Sequence, residues 1–170
     1  MNSCKTLALL LMIIFTSCEK DDICSEATQT TPRIVIDFYD AINPQETKAV
    51  EGLAVYAIKD SELFLIEYLN GITTESIVIP LRNDLSESNF LFIKDYSFEN
   101  DIILGDSNYI YIEYNITDVF VSRACGFIAN YYINTLTLAQ NPPNIGWITG
   151  YEIAYPTITN ENQTHVKILH

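Results

Sequence analysis

Basic side chains are scarce in this chain. Its 170 residues include 9 Lys and Arg against 22 Asp and Glu, which gives a formal net charge of −13 at pH 7. A nucleic-acid-binding surface needs a row of cations to neutralise phosphates, and this composition leaves no basic stripe. We therefore expect no nucleic-acid partner.

Histidine is also rare, and the familiar catalytic signatures are missing. His165 and His170 are the two histidines, whereas a zinc site needs several cysteine or histidine ligands at close spacing. The sequence contains no Gly-x-Ser-x-Gly, no His-Glu-x-x-His and no phosphate-binding loop. We expect no metal, no cofactor and no catalytic activity, with one alternative considered below.

One apolar run stands out, and it lies at the start of the chain. Lys5 precedes an uninterrupted apolar stretch, Leu7–Phe15, which ends shortly before Cys18. Because a membrane-spanning helix needs about 20 apolar residues, this run is too short to span a bilayer. The layout is typical of a bacterial lipoprotein signal peptide. It predicts removal of residues 1–17 and acylation of Cys18 by several chains; cleavage at a nearby site of an ordinary secreted protein is the alternative.

Cysteine usage suggests a disulfide. Cys4 leaves with the signal peptide and Cys18 carries lipid, so Cys24 and Cys125 remain for an oxidising compartment. They pair in the simplest interpretation, and two free thiols are the alternative. If they pair, residues 19–23 form the tether between lipid and domain and reach at most about 18 Å. The domain would then lie close to the bilayer.

The segment Cys18-Glu19-Lys20-Asp21-Asp22 resembles the lipidation site and the Lys-acidic-acidic export tag of surface lipoproteins of Bacteroidota. Four further segments extend the resemblance to short acidic lipoproteins of unknown function from these bacteria. They are Ile23-Cys24, Thr31-Pro32-Arg33, Ala124-Cys125-Gly126-Phe127 and His165-Val166-Lys167-Ile168.

The resemblance implies an outer-membrane location with surface exposure, and it is compatible with the cysteine pair. Lys20, Asp21 and Asp22 would be the export tag. The same residues are also compatible with a solvated linker, and a domain on the periplasmic face is the alternative location. The resemblance implies no activity.

Apolar residues recur with a period of two along most of the chain. Ile34, Ile36 and Phe38 share one face of a predicted strand, and residues 108–114 alternate in the same way. Eight other stretches of similar character are 49–58, 62–68, 74–81, 89–94, 118–124, 127–138, 147–155 and 164–169. The pattern predicts an all-β fold, either an antiparallel β-sandwich (Ig-like or related) or a barrel.

The predicted organisation is a signal peptide at 1–17, a lipidated N terminus and linker at 18–31, and a single domain at 32–170. Asn70-Gly71 between two apolar runs predicts a hairpin, because both residues accept positive φ. Gly105-Asp106-Ser107 also has the composition of a turn.

That last tripeptide raises the alternative of an enzyme. Gly105-Asp106-Ser107 resembles the nucleophile segment of lipase-like serine hydrolases, and His165 is the one plausible base. However, Asn162, three residues before that histidine, cannot supply the anionic group that orients the base in a triad. A serine esterase using Ser107 and His165 is therefore the second hypothesis.

The favoured hypothesis is a noncatalytic binding or assembly module with a protein or glycan partner. Trp147, Tyr151 and Tyr155 could form its binding face, since large amphipathic rings stack on partners. Alternatively, the tyrosines merely occupy strand faces and Trp147 belongs to the core.

Overall fold

The computed structural model describes residues 23–140 and 146–170, and every regular element in these ranges is a β-strand. The eleven strands are β1 (Ile34–Tyr39), β2 (Val50–Lys59), β3 (Glu62–Leu65), β4 (Ile72–Thr74), β5 (Ser76–Ile79), β6 (Glu87–Glu99), β7 (Ile102–Ser122), β8 (Gly126–Gln140), β9 (Gly150–Ile153), β10 (Thr157–Ile158) and β11 (Val166–Leu169). The predicted all-β fold is confirmed. The predicted signal peptide, Cys18 and the tag residues Lys20, Asp21 and Asp22 lie outside the described residues.

The strands form two sheets. The four-stranded sheet has the order β5-β1-β11-β9, and the seven-stranded sheet has the order β10-β8-β7-β6-β2-β3 with β4 beside β2. Of the two predicted architectures, the sandwich is the one observed. One pair, β1 with β11, is parallel, which is possible because the two strands are far apart in sequence and no hairpin sets their direction. A closer relation to the Ig topology stays a prediction.

The core lies between the two sheets and follows the predicted alternation. Ile34, Ile36 and Phe38 of β1 are fully buried, and so are Ile110 and Ile112 of β7. Each of these strands turns alternate residues towards the same core, as a period of two requires.

Residues 23–140 and 146–170 contain no helix of sufficient length and hydrophobicity to span a membrane.

Strand β7 corrects one of the predicted turns. It runs without a break through Gly105-Asp106-Ser107, and the chain reverses earlier, at Asn100 and Asp101, whose φ angles are 50° and 63°. Gly105 has a φ of 129°, and a Cβ there would lie 2.5 Å from Ile93 Cγ2. The β6–β7 register shifts beside it. Two residues of β6, Asp95 and Tyr96, therefore lie opposite the single Gly105, so the glycine of the continuous strand β7 faces a β-bulge in β6.

The predicted hairpin at Asn70-Gly71 is wrong in its pairing. Gly71 does adopt a positive φ of 68°, but the flanking strands β3 and β4 do not pair with each other. Both lie beside β2, with β3 next to its end (Tyr56–Lys59) and β4 next to its beginning. Because β2 is ten residues long, it provides pairing sites for two short strands.

The chain divides into two compact units. The larger, called here the body, comprises residues 31–117 and 129–170. The described part of the other, called here the disulfide unit, comprises residues 23–30 and 118–128. Within the disulfide unit, Cys24 and Cys125 are joined, with 4.9 Å between their Cα atoms. The predicted pairing is confirmed, whereas the predicted boundary between residues 31 and 32 stays a prediction.

Candidate functional site

A cleft of about 330 Å³ opens in the body beside the connection between β5 and β6. It is lined by residues 57–59 of β2, Phe64 of β3, residues 80–84 of the connection and residues 88–90 of β6. Small-molecule sites are usually concave, largely apolar and of at least about this volume. We call this feature the Arg82 cleft.

The strand register explains why there is space here. Ala57 of β2 lies between two phenylalanines, opposite Phe64 of β3 and opposite Phe90 of β6. Residues opposite each other in an antiparallel pair share one face of the sheet. The small Ala57 side chain therefore lies between two large rings and leaves space between them. Phe90 is buried and Phe64 is half exposed. The floor of the cleft is therefore apolar and opens towards solvent at Phe64.

Hydrogen bonds to two buried residues, Ser88 and Tyr114, hold the wall of the cleft. The Arg82 amide donates to Ser88 Oγ over 2.8 Å, and Tyr114 Oη donates to the Arg82 carbonyl over the same distance. The two hydroxyls are 2.7 Å apart, so Ser88 donates to Tyr114 and each group has a partner. Burial is the main cause that raises the pKa of Tyr114 to about 12. At neutral pH the phenol therefore keeps the proton that fixes the connection.

The rim of the cleft is charged. Arg82 makes a two-point contact with Asp84, with 2.9 Å between Nε and Oδ1 and 2.6 Å between Nη2 and Oδ2. The guanidinium lowers the pKa of Asp84 to about 2. Lys59 is exposed on the same rim, and it takes part in no ion pair of the described residues. Its positive charge contributes to lowering the pKa of Asp84, but since it forms no ion pair there, its ammonium group could still meet a bound anion.

This arrangement suits binding better than bond cleavage. The apolar floor offers a place for an apolar group, and Lys59 offers a positive charge at its edge. Ser88 is the hydroxyl of the site, but it is 2 % exposed and bonded to Tyr114 instead of to an imidazole. A serine nucleophile needs an adjacent base to accept its proton.

The structure does not join Ser107 and His165 in a catalytic pair. Ser107 lies in β7 opposite Ile93, and His165 is fully buried with Nδ1 accepting from the Val35 amide over 3.0 Å. Since Nδ1 is the acceptor, the neutral imidazole carries its proton on Nε2, where it cannot take one from serine. No hydrogen bond among the described residues links the two side chains.

The predicted aromatic trio does not share one exposed face. Trp147 is 9 % exposed and packs on Phe38, with ring centroids 6.1 Å apart. Its backbone amide donates to the buried Asn108 side chain over 3.0 Å, and this hydrogen bond fixes the position of the chain at Trp147. Trp147 therefore belongs to the core. Tyr151 and Tyr155 are 40 % and 53 % exposed, and for them a binding role stays a prediction.

A group of tyrosines lies on the face of the seven-stranded sheet that points away from the main core. Tyr56 and Tyr96 approach each other with 2.9 Å between their hydroxyls, and burial is the main cause that raises the pKa of Tyr56 to about 12. Tyr109 and Tyr111 stack with centroids 6.3 Å apart. Because side chains alternate along a strand, the sequence indicates that Tyr109 and Tyr111 share a face. Whether they lie near the tyrosines of β2 and β6 depends on the register of the sheet.

The sequence analysis did not predict the Arg82 cleft. Pro80 after an apolar run is a signal that a strand ends there, and the charged residues that follow are typical of a loop. Nothing in the sequence relates Arg82 to Lys59 or to Tyr114, because those contacts depend on which strands pair.

A family description matches residues 52–170, and it reads "Family of unknown function (DUF6452)". The chain belongs to this family. The matched range contains every residue that lines the Arg82 cleft. No curated protein matches the chain. No solved structure matches it either.

Proposed function

We propose that this member of the DUF6452 family is a lipid-anchored, noncatalytic binding module on the outer membrane of a bacterium of the Bacteroidota. The anchoring part rests on the sequence: an apolar run that ends shortly before Cys18, followed by Lys20, Asp21 and Asp22. The binding part rests on one observation, the Arg82 cleft with its apolar floor and charged rim. The domain faces outward, away from the cell.

The chemistry of the cleft defines the ligand class. Phe90, Leu81 and Ala57 favour an apolar group, since burying apolar surface contributes about 25 cal/mol per Å². Lys59 favours a carboxylate or another anionic group beside it, because Arg82 is already paired with Asp84. The ligand is thus an apolar group with one adjacent negative charge, on a small molecule or on a protein partner. Because hydrogen bonds already hold residues 80–84, binding requires little ordering of the protein.

Acylation is tested by metabolic labelling. Radioactive palmitate should enter the wild-type protein and not Cys18→Ser, and only the wild type should sediment with membranes. The Cys24→Ser variant is a matched control, since it removes a cysteine that we expect to carry no lipid. Equal labelling of wild type and Cys18→Ser would refute the anchor.

Surface exposure is tested with intact cells. Protease added from outside should degrade the wild-type protein and spare a variant in which Lys20, Asp21 and Asp22 are all alanine, because the tag directs export. A periplasmic marker protein must survive the same treatment. Equal degradation of both proteins would show that these residues are not an export tag.

The cleft is tested with anilinonaphthalene sulfonate, a probe with apolar rings and one negative charge. In ¹⁵N spectra of the mature protein without acyl chains, the probe should shift the amides of Lys59, Phe64 and Asn83. Lys59→Glu should weaken binding by at least about tenfold, since a favourable charge contact becomes a repulsive one. Lys94→Glu, the same charge change outside the cleft lining, should leave the affinity unchanged. Shifts confined to Tyr109 and Tyr111 would refute the cleft as the site.

A further inference from the structure

The disulfide unit is held together by a covalent bond and short local contacts. Cys24 is joined to Cys125, which lies in the turn between β7 and β8. The Cys125 amide donates to Ser122 Oγ over 3.0 Å, which closes the turn. Before it in sequence, the Thr28 amide donates to the Ser25 carbonyl over 2.9 Å. The turn is thus fastened to a segment that begins near the predicted lipid anchor.

This unit exposes aromatic side chains. Phe120 is 58 % exposed and Phe127 is 65 % exposed, and their rings form an edge-to-face pair with centroids 5.3 Å apart. Val119 and Ile23 are exposed as well. Exposed apolar surface in water is unfavourable by about 25 cal/mol per Å², and clustered exposed apolar residues often mark an interaction surface.

The charge of the same segment is unusual for this protein. Asp118 and Arg123 cancel within 118–128, and Glu26 is the charged residue of 23–30, so the described part of the disulfide unit carries −1, whereas the whole chain carries −13. A bilayer with anionic headgroups therefore repels this unit much less than it repels the rest of the acidic chain. Arg123 can reach headgroup phosphates while its methylene groups lie against apolar surface.

The length of the tether connects these observations to a membrane. Between Cys18 and Cys24 lie residues 19–23, which reach at most about 18 Å when fully extended. The disulfide brings Cys125 to within 4.9 Å of Cys24, measured between Cα atoms, and Phe127 follows two residues later. If Cys18 is acylated, the exposed pair is held beside the bilayer at a high effective concentration.

We propose that Phe120 and Phe127 insert into the interfacial region of the phospholipid bilayer and form a second, noncovalent membrane contact beside the acylated Cys18. This proposal rests on the anchoring part of the proposed function. The contact would fix the orientation of the disulfide unit at the membrane, which an acyl tether alone leaves free. Each ring would exchange exposure to water for acyl-chain contact.

The test uses acylated full-length protein purified from membranes and reconstituted in vesicles of phosphatidylethanolamine and phosphatidylglycerol, with or without brominated acyl chains. Bromine quenches tryptophan only at contact distance. Phe127→Trp and Phe120→Trp report on the pair, and Phe98→Trp is the control because Phe98 is comparably exposed, at 56 %. The buried native Trp147 is common to all variants, and its emission is subtracted with the wild type.

We expect brominated lipid to remove most of the added emission of Phe127→Trp and Phe120→Trp, and to leave that of Phe98→Trp unchanged. Palmitate incorporation is measured on the same preparations. Acylated protein whose added tryptophans are not quenched would overturn the membrane contact and leave the anchor standing. A blue shift that depends on protein density and not on bromine would assign the pair to a second copy and would also overturn it. Protein without palmitate would overturn the anchor, and this proposal with it.

Discussion

Two connections in this protein are fixed by different means. Residues 80–84, beside the Arg82 cleft, are held by hydrogen bonds to Ser88 and Tyr114, both of which are buried. The turn between β7 and β8 has an internal hydrogen bond, from the Cys125 amide to Ser122 Oγ, and is fastened to residues 23–30 by the Cys24–Cys125 disulfide, in a unit where Phe120 and Phe127 stay exposed. A hydrogen bond fixes a loop well only where water is excluded. In the disulfide unit, where aromatic side chains are exposed, a covalent bond fixes the turn, because its strength does not depend on burial.

The largest effect should come from removing the disulfide. We expect the Cys24→Ser/Cys125→Ser double variant to lose about 2 to 5 kcal/mol of unfolding free energy, because the bridge closes a loop of about 100 residues in the unfolded chain. Urea denaturation followed by circular dichroism measures the loss. Reduced wild type should match the double variant. If oxidised wild type and the variant unfold at the same urea concentration, covalent closure does not stabilise the fold.

A smaller loss should follow Tyr114→Phe. The substitution keeps the ring but leaves the Arg82 carbonyl without its donor and the Ser88 hydroxyl proton without its acceptor, which costs about 1 to 3 kcal/mol. Tyr111→Phe is a matched control on the same strand, where the exposed ring should change stability by less than about 0.5 kcal/mol. Hydrogen exchange should quicken at residues 80–84 in the first variant alone. Equal losses in the two variants would argue against the buried network.

The smallest effect should be a dependence of the unfolding free energy on pH, caused by two histidines of the body. Burial is the main cause that lowers the pKa of His165 and His170 below the ordinary 6.5. Below pH 6.5 the unfolded chain therefore binds more protons than the folded one, and stability falls with acidification. The pKa values of Asp40 and Asp84 are about 2, so these carboxylates lose their contribution only at much lower pH.

Urea denaturation at about pH 7.5 and about pH 5.5 should show this decline, with the disulfide intact at both. Proton spectra of the two imidazoles give their pKa values directly. A His165 pKa at or above 6.5 would contradict the prediction, because burial and the Val35 amide that donates to Nδ1 should both favour the neutral imidazole.

Predictions from sequence succeeded where a local pattern decides the outcome. Ile34, Ile36 and Phe38 alternate with less buried positions, and a strand with a buried face follows from that pattern alone. Gly105 shows the limit. Its composition fits a turn, but what requires a glycine is its positive φ and the closeness of Ile93 and of the Lys94 carbonyl across the sheet, which no local pattern reveals.

The same distinction applies to the functional residues. The sequence leaves Trp147 open to a binding face or to the core, and the contacts that decide between them are with Asn108 and Phe38, which are distant in sequence. The Arg82 cleft exists because β2 lies between β3 and β6 and places Ala57 between two phenylalanines. Strand pairing at that distance is selected by the packing of the whole core, and single positions carry little information about it.

The sequence by itself determined that the chain forms strands with buried faces, because a period of two is a local property, and it predicted the Cys24–Cys125 pair that the structure contains. The tertiary structure alone decided the sheet order, the parallel β1–β11 pair and the position of the cleft. Those features arise from contacts between residues far apart in the chain, and such contacts form only when both sheets bury their faces together.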